Sequence, residues 1–298
     1  MKRLLLITVL AAMALAGCKK EKTQPPTCTI TAPANNAEFL VTENITVAVT
    51  ADVKSGNIAE VRLYVDNVGQ SSKTAFPYNF TINAGELTAG SHTLKAEAID
   101  NSGAKAESTV TISVLHDPLT YDGGVLIGGV KWATRNVDKP GTFAATPQSS
   151  GMFYQWNRKI GWSAADPLIN SNNGAAWDNS YALGSSWTKA NDPCPAGWRV
   201  PTQAELSLLT GGIWTDTPAG RTFGGGANTL FLPAVGYRGY WDGRLYDVGS
   251  SGRYWSATLS TSFTDNGCAF SFDNSNSSLL SNAVGVKSMG YSVRCVAE

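Results

Sequence analysis

Histidine is nearly absent from this chain of 298 residues: only His92 and His116 carry an imidazole, and none follows residue 116. The C-terminal part therefore lacks the commonest general base, and no Ser-His or Cys-His dyad can form within it. The five cysteines include no Cys-x2-Cys pair, which together with the missing histidines argues against a zinc-type site. Neither sign of charge is in excess, with 23 Lys+Arg against 23 Asp+Glu and no basic block. Nucleic acid and anionic membrane surfaces are thus poor candidates for partners. The uncharged apolar run Leu4 to Ala16 is too short to cross a hydrocarbon core of roughly 30 Å as a helix. Tryptophan is missing between Thr27 and Leu115, whereas all nine lie between Trp132 and Trp255. A chain of this length accommodates two domains, and the two cores are expected to be built from different side chains.

The first seventeen residues read as a leader. Met1-Lys2-Arg3 is a basic start, the apolar run follows, and Leu15-Ala16-Gly17 precedes Cys18. This arrangement resembles the bacterial lipobox, which implies removal of residues 1–17 and a lipid anchor on Cys18 holding the chain to a membrane. Lys19 after the cysteine favours the outer membrane by the usual bacterial sorting rule, on its periplasmic face or at the cell surface. Residues 18–26, rich in Lys and ending in Pro25-Pro26, read as a solvated tether.

From residue 27 to 116 the pattern has period two. Ile45, Val47 and Val49 alternate with polar residues, as do Val61, Leu63 and Val65, Leu94, Ala96 and Ala98, and Val110, Ile112 and Val114. Each run presents one buried and one wet face, with turn residues at short intervals, so an all-β antiparallel sandwich is expected. Asp66, Asp100 and Asn101 are read as turn residues rather than calcium ligands. The blocks ITAPANNAEF, VRLYVDN, TAFPYNFTI and GSHTLKAEAIDNSGA resemble bacterial immunoglobulin-like domains, which implies an Ig-like sandwich serving as a spacer or adhesive module.

Residues 119–298 read as an α+β domain. Val125 to Val137 opens a hairpin, and Gly151 to Ser163 lies in a loop-rich stretch. Thr202 and Glu205 form a capping box behind Pro201, with Leu206 and Leu209 on one face and Gly211-Gly212 as a stop. A short helix is therefore predicted over 202–210. Strands are expected at 230–237, 254–259, 268–273 and 291–298. Asp273 to Asn276 reads as a polar turn, since an EF-hand's glycine and distal glutamate are missing.

The ordered set IGGVKWATRN, GMFYQWNRK, CPAGWRVPTQAEL, LPAVGYR, GRYWSAT and YSVRCV resembles the Fibrobacter succinogenes major paralogous (FISUMP) domain. More distantly, the block from Cys194 to Leu206 is similar to the core of C-type-lectin-like folds and of formylglycine-generating enzymes. With Cys18 lipidated, four cysteines allow three complete pairings. The lectin-like resemblance implies Cys194–Cys295, leaving Cys28 and Cys268 free, in a compartment that permits disulfides.

Candidate carboxylates for hydrolysis are Asp178, Asp216, Asp242, Asp247, Asp265 and Asp273, but no spacing marks a catalytic pair. The closely spaced cysteine pair of formylglycine-generating enzymes has no counterpart, and the calcium-binding Glu-Pro-Asn signature of sugar-binding lectins is missing. No enzyme activity, cofactor or metal is therefore expected. The segment from Arg238 to Gly252 gathers Arg238, Tyr240, Trp241, Asp242, Arg244, Tyr246 and Asp247. Aromatic faces can stack on the C–H face of a pyranose, and Asp and Arg can bond its hydroxyls. The expectation is an outer-membrane lipoprotein presenting a non-catalytic binding or adhesion module for a polysaccharide or a surface protein. The alternatives are a structural or assembly part of the envelope and, behind it, a carboxylate hydrolase. Trp198 and Trp255, inside strand motifs, are expected in the core.

Overall fold

The computed structural model describes residues 24–274 and 278–298. The leader, Cys18, the tether up to residue 23 and part of the turn expected at 273–276 lie outside the described residues. The chain divides after Leu115 into two units.

In the first unit eight strands form two sheets: β1 (Thr27–Ala32), β2 (Ala37–Leu40), β3 (Ile45–Asp52), β4 (Ile58–Val65), β5 (Val68–Lys73), β6 (Tyr78–Ile82), β7 (Gly90–Asp100) and β8 (Lys105–Leu115). One sheet has the order β1-β3-β6 and the other β2-β8-β7-β4-β5. All pairings are antiparallel except β2 with β8. The alternating residues become the core: Val47, Val61, Leu94, Ala96 and Ala98 are fully buried between the sheets. Burial of each Val or Leu side chain contributes about 1.5–3 kcal/mol, and the opposite pleat face stays wet. Asp66 and Asn67 take positive φ in the two-residue turn between β4 and β5, as a tight hairpin requires. The Asp66 carboxylate accepts from the Thr93 amide at 2.9 Å and meets the His92 imidazole at 2.7 Å. Asp100 accepts from the amides of Ser102 and Ala104. Both carboxylates are therefore engaged in turn closure.

The second unit is also dominated by strands. They are β9 (Val125–Ile127), β10 (Val130–Trp132), β11 (Met152–Tyr154), β12 (Gly161–Ser163), β13 (Trp198–Arg199), β14 (Trp214–Thr217), β15 (Gly220–Gly225), β16 (Asn228–Pro233), β17 (Tyr237–Arg238), β18 (Leu245–Tyr246), β19 (Ser251–Leu259), β20 (Asn266–Asp273), β21 (Ser278–Val286) and β22 (Val296–Ala297). They form small sheets, β13-β22-β10-β9, β14-β15-β16 and β19-β20-β21, with two-stranded ladders β11-β12 and β17-β18. The one α-helix among the described residues is α1 (Gln203–Leu208), capped by Thr202 in a complete capping box with Glu205. The α+β character expected of this unit is thus confined to six helical residues. The closing segment also departs from expectation. Only Val296–Ala297 pair as a strand there, while Tyr291 exchanges two backbone bonds with Tyr154 and residues 292, 293 and 295 each accept one, from Trp255, Val137 and Ala133.

Aromatic side chains replace sheet area as the source of cohesion. Trp132, Trp156 and Trp255 are fully buried and Trp198 nearly so, each ring removing roughly 150–250 Å² from water. Trp255 stacks on Tyr291 with centroids 4.2 Å apart and donates its indole N–H to the Tyr154 carbonyl at 2.6 Å. Trp156 donates to the Ser256 carbonyl at 2.9 Å, and its ring lies where a Cβ on Gly267 would stand, 2.2 Å away. Cys194 and Cys295 are joined in a disulfide across 101 residues of sequence. Cys28 and Cys268 are free thiols, both pushed up in pKa by burial.

Candidate functional site

The hairpin β17–β18 pairs Tyr237 with Tyr246 and Arg238 with Leu245, leaving residues 239–244 as a connecting loop. Its closure follows from the sequence Asp242-Gly243. The Asp242 carboxylate accepts from the Arg244 amide at 3.1 Å, and Gly243 takes a φ of 69°. A Cβ on Gly243 would stand 2.7 Å from the Trp177 ring, so glycine is required twice over, for conformation and for space.

Beneath the loop lies Arg238, 1% exposed. Its guanidinium donates to the carbonyls of Ser163 at 2.7 Å, Gly243 at 2.6 Å and Ala165 at 2.8 Å, and to the Ser163 hydroxyl at 3.1 Å. Its backbone exchanges two 2.9 Å bonds with Gly290. Burial pulls the guanidinium below its ordinary pKa, offset in part by Asp166. Trp177 adds a second tie, its indole N–H donating to the Tyr240 carbonyl at 3.0 Å while the ring packs on Trp162 at 4.9 Å. The loop is therefore fixed from below although its upper face is open.

On that upper face Tyr240 is 45% exposed, Trp241 72% and Tyr246 44%. They border a cleft of about 290 Å³ whose lining adds Tyr237, Gly239, Asp242 and Met289. Tyr237 and Tyr246 stack with centroids 5.5 Å apart, and the Arg253 guanidinium covers the Tyr237 ring at 4.2 Å. Burial raises the Tyr237 phenol pKa, so the ring faces the cleft neutral with a hydroxyl able to donate and accept. Exposed aromatics on a rigid base offer a stacking surface whose ordering entropy is already spent in folding. Asp242 is the one carboxylate of the lining.

Of the seven residues the sequence nominated, Tyr240, Trp241, Asp242 and Tyr246 meet at this cleft. Arg244 is exposed on the same loop without lining it. Asp247 is exposed at the loop's far end, where its carbonyl accepts from Ser250 and Ser251 and its carboxylate stands 3.8 Å from Arg253. Arg238 must be reassigned: buried and committed to backbone carbonyls, it positions the loop and does not face a ligand. Trp198 and Trp255 are core, as expected. Trp177, Tyr237 and Met289 were missed. Trp177 sits in the irregular stretch 172–187, where the one available signal was an aromatic residue placed among Asn, Ser and Gly.

Residues 26–96 match the family model for a bacterial Ig domain. No curated protein matches the chain in sequence. Among solved structures, the chain is similar to the fibronectin(III)-like modules of Clostridium thermocellum CbhA, with 27% identity and a TM-score of 0.29 over 31% of this chain and 47% of that one. It is similar to the endo-beta-1,4-mannanase from Thermotoga petrophila, with 14% identity and a TM-score of 0.28 over 33% and 22%. It is also similar to SGBP-B of the Bacteroides ovatus mixed-linkage glucan utilization locus, solved with a mixed-linkage heptasaccharide, with 11% identity and a TM-score of 0.25 over 87% and 70%. The chain spans less than half the length of the first two of these structures. What the comparisons establish is confined to the N-terminal unit: the two-sheet sandwich is Ig-like, and residues 26–96 are similar to bacterial Ig domains.

Proposed function

We propose that this protein is a non-catalytic, glycan-binding lipoprotein of the bacterial envelope. The observation that carries the reading is the cleft of about 290 Å³ bordered by the exposed rings of Tyr240, Trp241 and Tyr246 on a base pinned by Arg238. Large aromatic side chains left in water on a pre-organised loop mark a recognition surface. Rings suit the apolar face of a sugar, while Asp242 and the tyrosine hydroxyls suit its polar edge. A single carboxylate in the lining favours binding over glycoside hydrolysis, which uses two facing one another.

The remainder of the reading rests on sequence. The lipobox-like Leu15-Ala-Gly-Cys18 supports a lipid anchor and Lys19 an outer-membrane destination, with the Ig-like unit as a spacer. The lectin-like and FISUMP reading of the second unit is supported by the Cys194–Cys295 link and by the Cys194-to-Leu206 block that builds its only described α-helix. A glycan array probed with the purified protein tests the function. Binding to at least one neutral glycan that is lost in Trp241→Ala is the expected result, and silence across the array would overturn it. Protease accessibility on intact cells, read against a periplasmic control, decides which face of the membrane the protein occupies.

A further inference from the structure

We infer that a second hollow of this unit, sharing no lining residue with the cleft at Trp241, binds an acidic sugar through its carboxylate. The inference goes beyond the reading above and does not depend on what the aromatic cleft binds. The hollow measures about 630 Å³, within the range of roughly 300–1,000 Å³ usual for small-molecule sites. Two of its nine lining residues are the neighbouring cations Arg158 and Lys159, and none is Asp or Glu. Arg158 is fixed and neutralised from one side. It is paired with Asp178, and it donates to the Ser180 hydroxyl at 2.7 Å. Its Nε is shielded from solvent and has no acceptor among the described residues. Lys159 is exposed, with no hydrogen-bond or ion-pair partner among the described residues. Asp192, next in sequence to the lining residue Asn191, is engaged elsewhere. It accepts from the amides of Cys194 at 2.9 Å and Val200 at 3.2 Å and lines a different hollow. A further cation, Lys287, is 5% exposed and donates to the carbonyl of Ala182, a lining residue, at 3.5 Å and to that of Gly184 at 3.1 Å.

Charge and shape together select the ligand. With Asp178 cancelling Arg158, one accessible positive charge remains, on Lys159, and the buried Lys287 adds another that salt screens poorly. A monoanion matches that balance better than a phosphate dianion. A carboxylate that meets both Lys159 and Arg158 gains charge-assisted hydrogen bonds from each. The rest of the lining is largely apolar, with Ile160 40%, Tyr181 46% and Leu183 89% exposed. A pyranose with a carboxylate at C5 carries its charge and its apolar C–H face on one rigid body, so both can be met at once. A flexible acidic side chain of a peptide offers no such face to the Tyr181 ring. The wall is also held before any ligand arrives. Asn157, 4% exposed, donates to the Leu183 carbonyl at 3.0 Å and accepts from the Thr188 amide at 2.8 Å. Arg158 fixes Ser180 and Lys287 fixes Gly184, so little ordering is left to oppose binding.

The test is titration calorimetry of the purified protein with galacturonate, glucuronate and mannuronate oligomers of two and three units. Their methyl esters, the peptide acetyl-Glu-Glu-Glu-amide and inorganic phosphate serve as the comparison ligands. At least one uronate oligomer is expected to bind, and its methyl ester to bind about tenfold more weakly or worse, because the ester keeps the shape and loses the charge. Lys159→Gln should weaken the uronate by about tenfold, Lys159→Arg should restore it to within about threefold, and Tyr181→Ala should weaken it independently. Trp241→Ala should leave it within about twofold of the wild type. An unchanged thermal midpoint confirms that these exposed substitutions leave the fold intact. Binding by none of the uronates would overturn the site, as would an ester that binds as tightly as its acid or a Lys159→Gln variant equal to the wild type. Binding of the peptide or of phosphate in place of the uronates would overturn the sugar. Loss of uronate binding in Trp241→Ala would overturn the separateness of the two sites. A glycan array silent for neutral sugars would remove the reading of the Trp241 cleft and leave this one standing.

Discussion

Trp241 and Arg238 are three positions apart in sequence and have opposite roles. Trp241 is 72% exposed and contributes little to folding, so Trp241→Ala is expected to shift stability by no more than about 0.5 kcal/mol while eliminating glycan retention. Arg238→Met should do the reverse in order of cause. It strips donors from the carbonyls of Ser163, Ala165 and Gly243, and orphaning buried acceptors costs about 1–3 kcal/mol each. A loss of about 3 kcal/mol or more in urea unfolding is expected, with binding weakened because the loop loosens. Sequence alone could not separate these two residues. An arginine beside aromatic loop residues has the chemistry of a ligand contact, and only the arrival of carbonyls from residues 163–165 shows that it is already engaged. Trp198 was legible because its strand motif and neighbouring cysteine demand burial, whereas the turn Asp242-Gly243 left Trp241 free to face either way.

Local signals carried furthest in α1. The Thr202–Glu205 capping box is satisfied within four residues, so the helix was legible without tertiary information, though it stops at Leu208. Thr202→Ala is expected to cost about 1 kcal/mol, measured as a lowered urea midpoint. Arg199 holds the Glu205 carboxylate at 2.6 and 2.9 Å and, with the Thr202 bonds, lowers its pKa from 4.5 to about 2. A carboxyl depressed in the folded state stabilises fully above its unfolded value and ceases to do so as pH falls through the folded one. Stability should therefore decline between about pH 4.5 and pH 2, by about 1–2 kcal/mol once the partly exposed Arg199 is discounted for screening. Glu205→Gln should flatten that limb in acid titrations followed by circular dichroism. Asp192 acts in the opposite sense, since burial raises its pKa and protonation relieves a desolvation cost. Of the meander β14–β16 only the last strand was foreseen, within the expected 230–237, and it ends at Pro233. Gly220, Gly224 to Gly226 and Pro218 interrupt the strand pattern of β14 and β15, and the ladder that sets Trp214 against Phe223 and Phe223 against Leu230 emerges only in the fold. The closing segment erred the other way, its alternating apolar residues contacting several strands singly and not one strand as a ladder.

Across the whole molecule, the absence of tryptophan before residue 130 did foretell a change of core material, because aliphatic sheet faces and packed indoles solve burial differently. It also supplies an assay: intrinsic tryptophan fluorescence reports only the second unit. The Cys194–Cys295 bond closes a loop of about 100 residues, worth about 4.7 kcal/mol in the chain-entropy model. Reductant should accordingly lower the fluorescence-detected melting transition while leaving the Ig-like unit's own transition in place, as differential scanning calorimetry would resolve. The same bond has a topological effect on the loop between β17 and β18. Every residue of β17, β18 and the segment between them lies inside the covalent ring that Cys194 and Cys295 define. A protease that nicks the exposed backbone near Trp241 would open the ring without releasing a piece, giving a single band on a non-reducing gel and two when thiol is added. If the loop is the proposed binding surface, a cut there leaves both halves of that surface covalently joined.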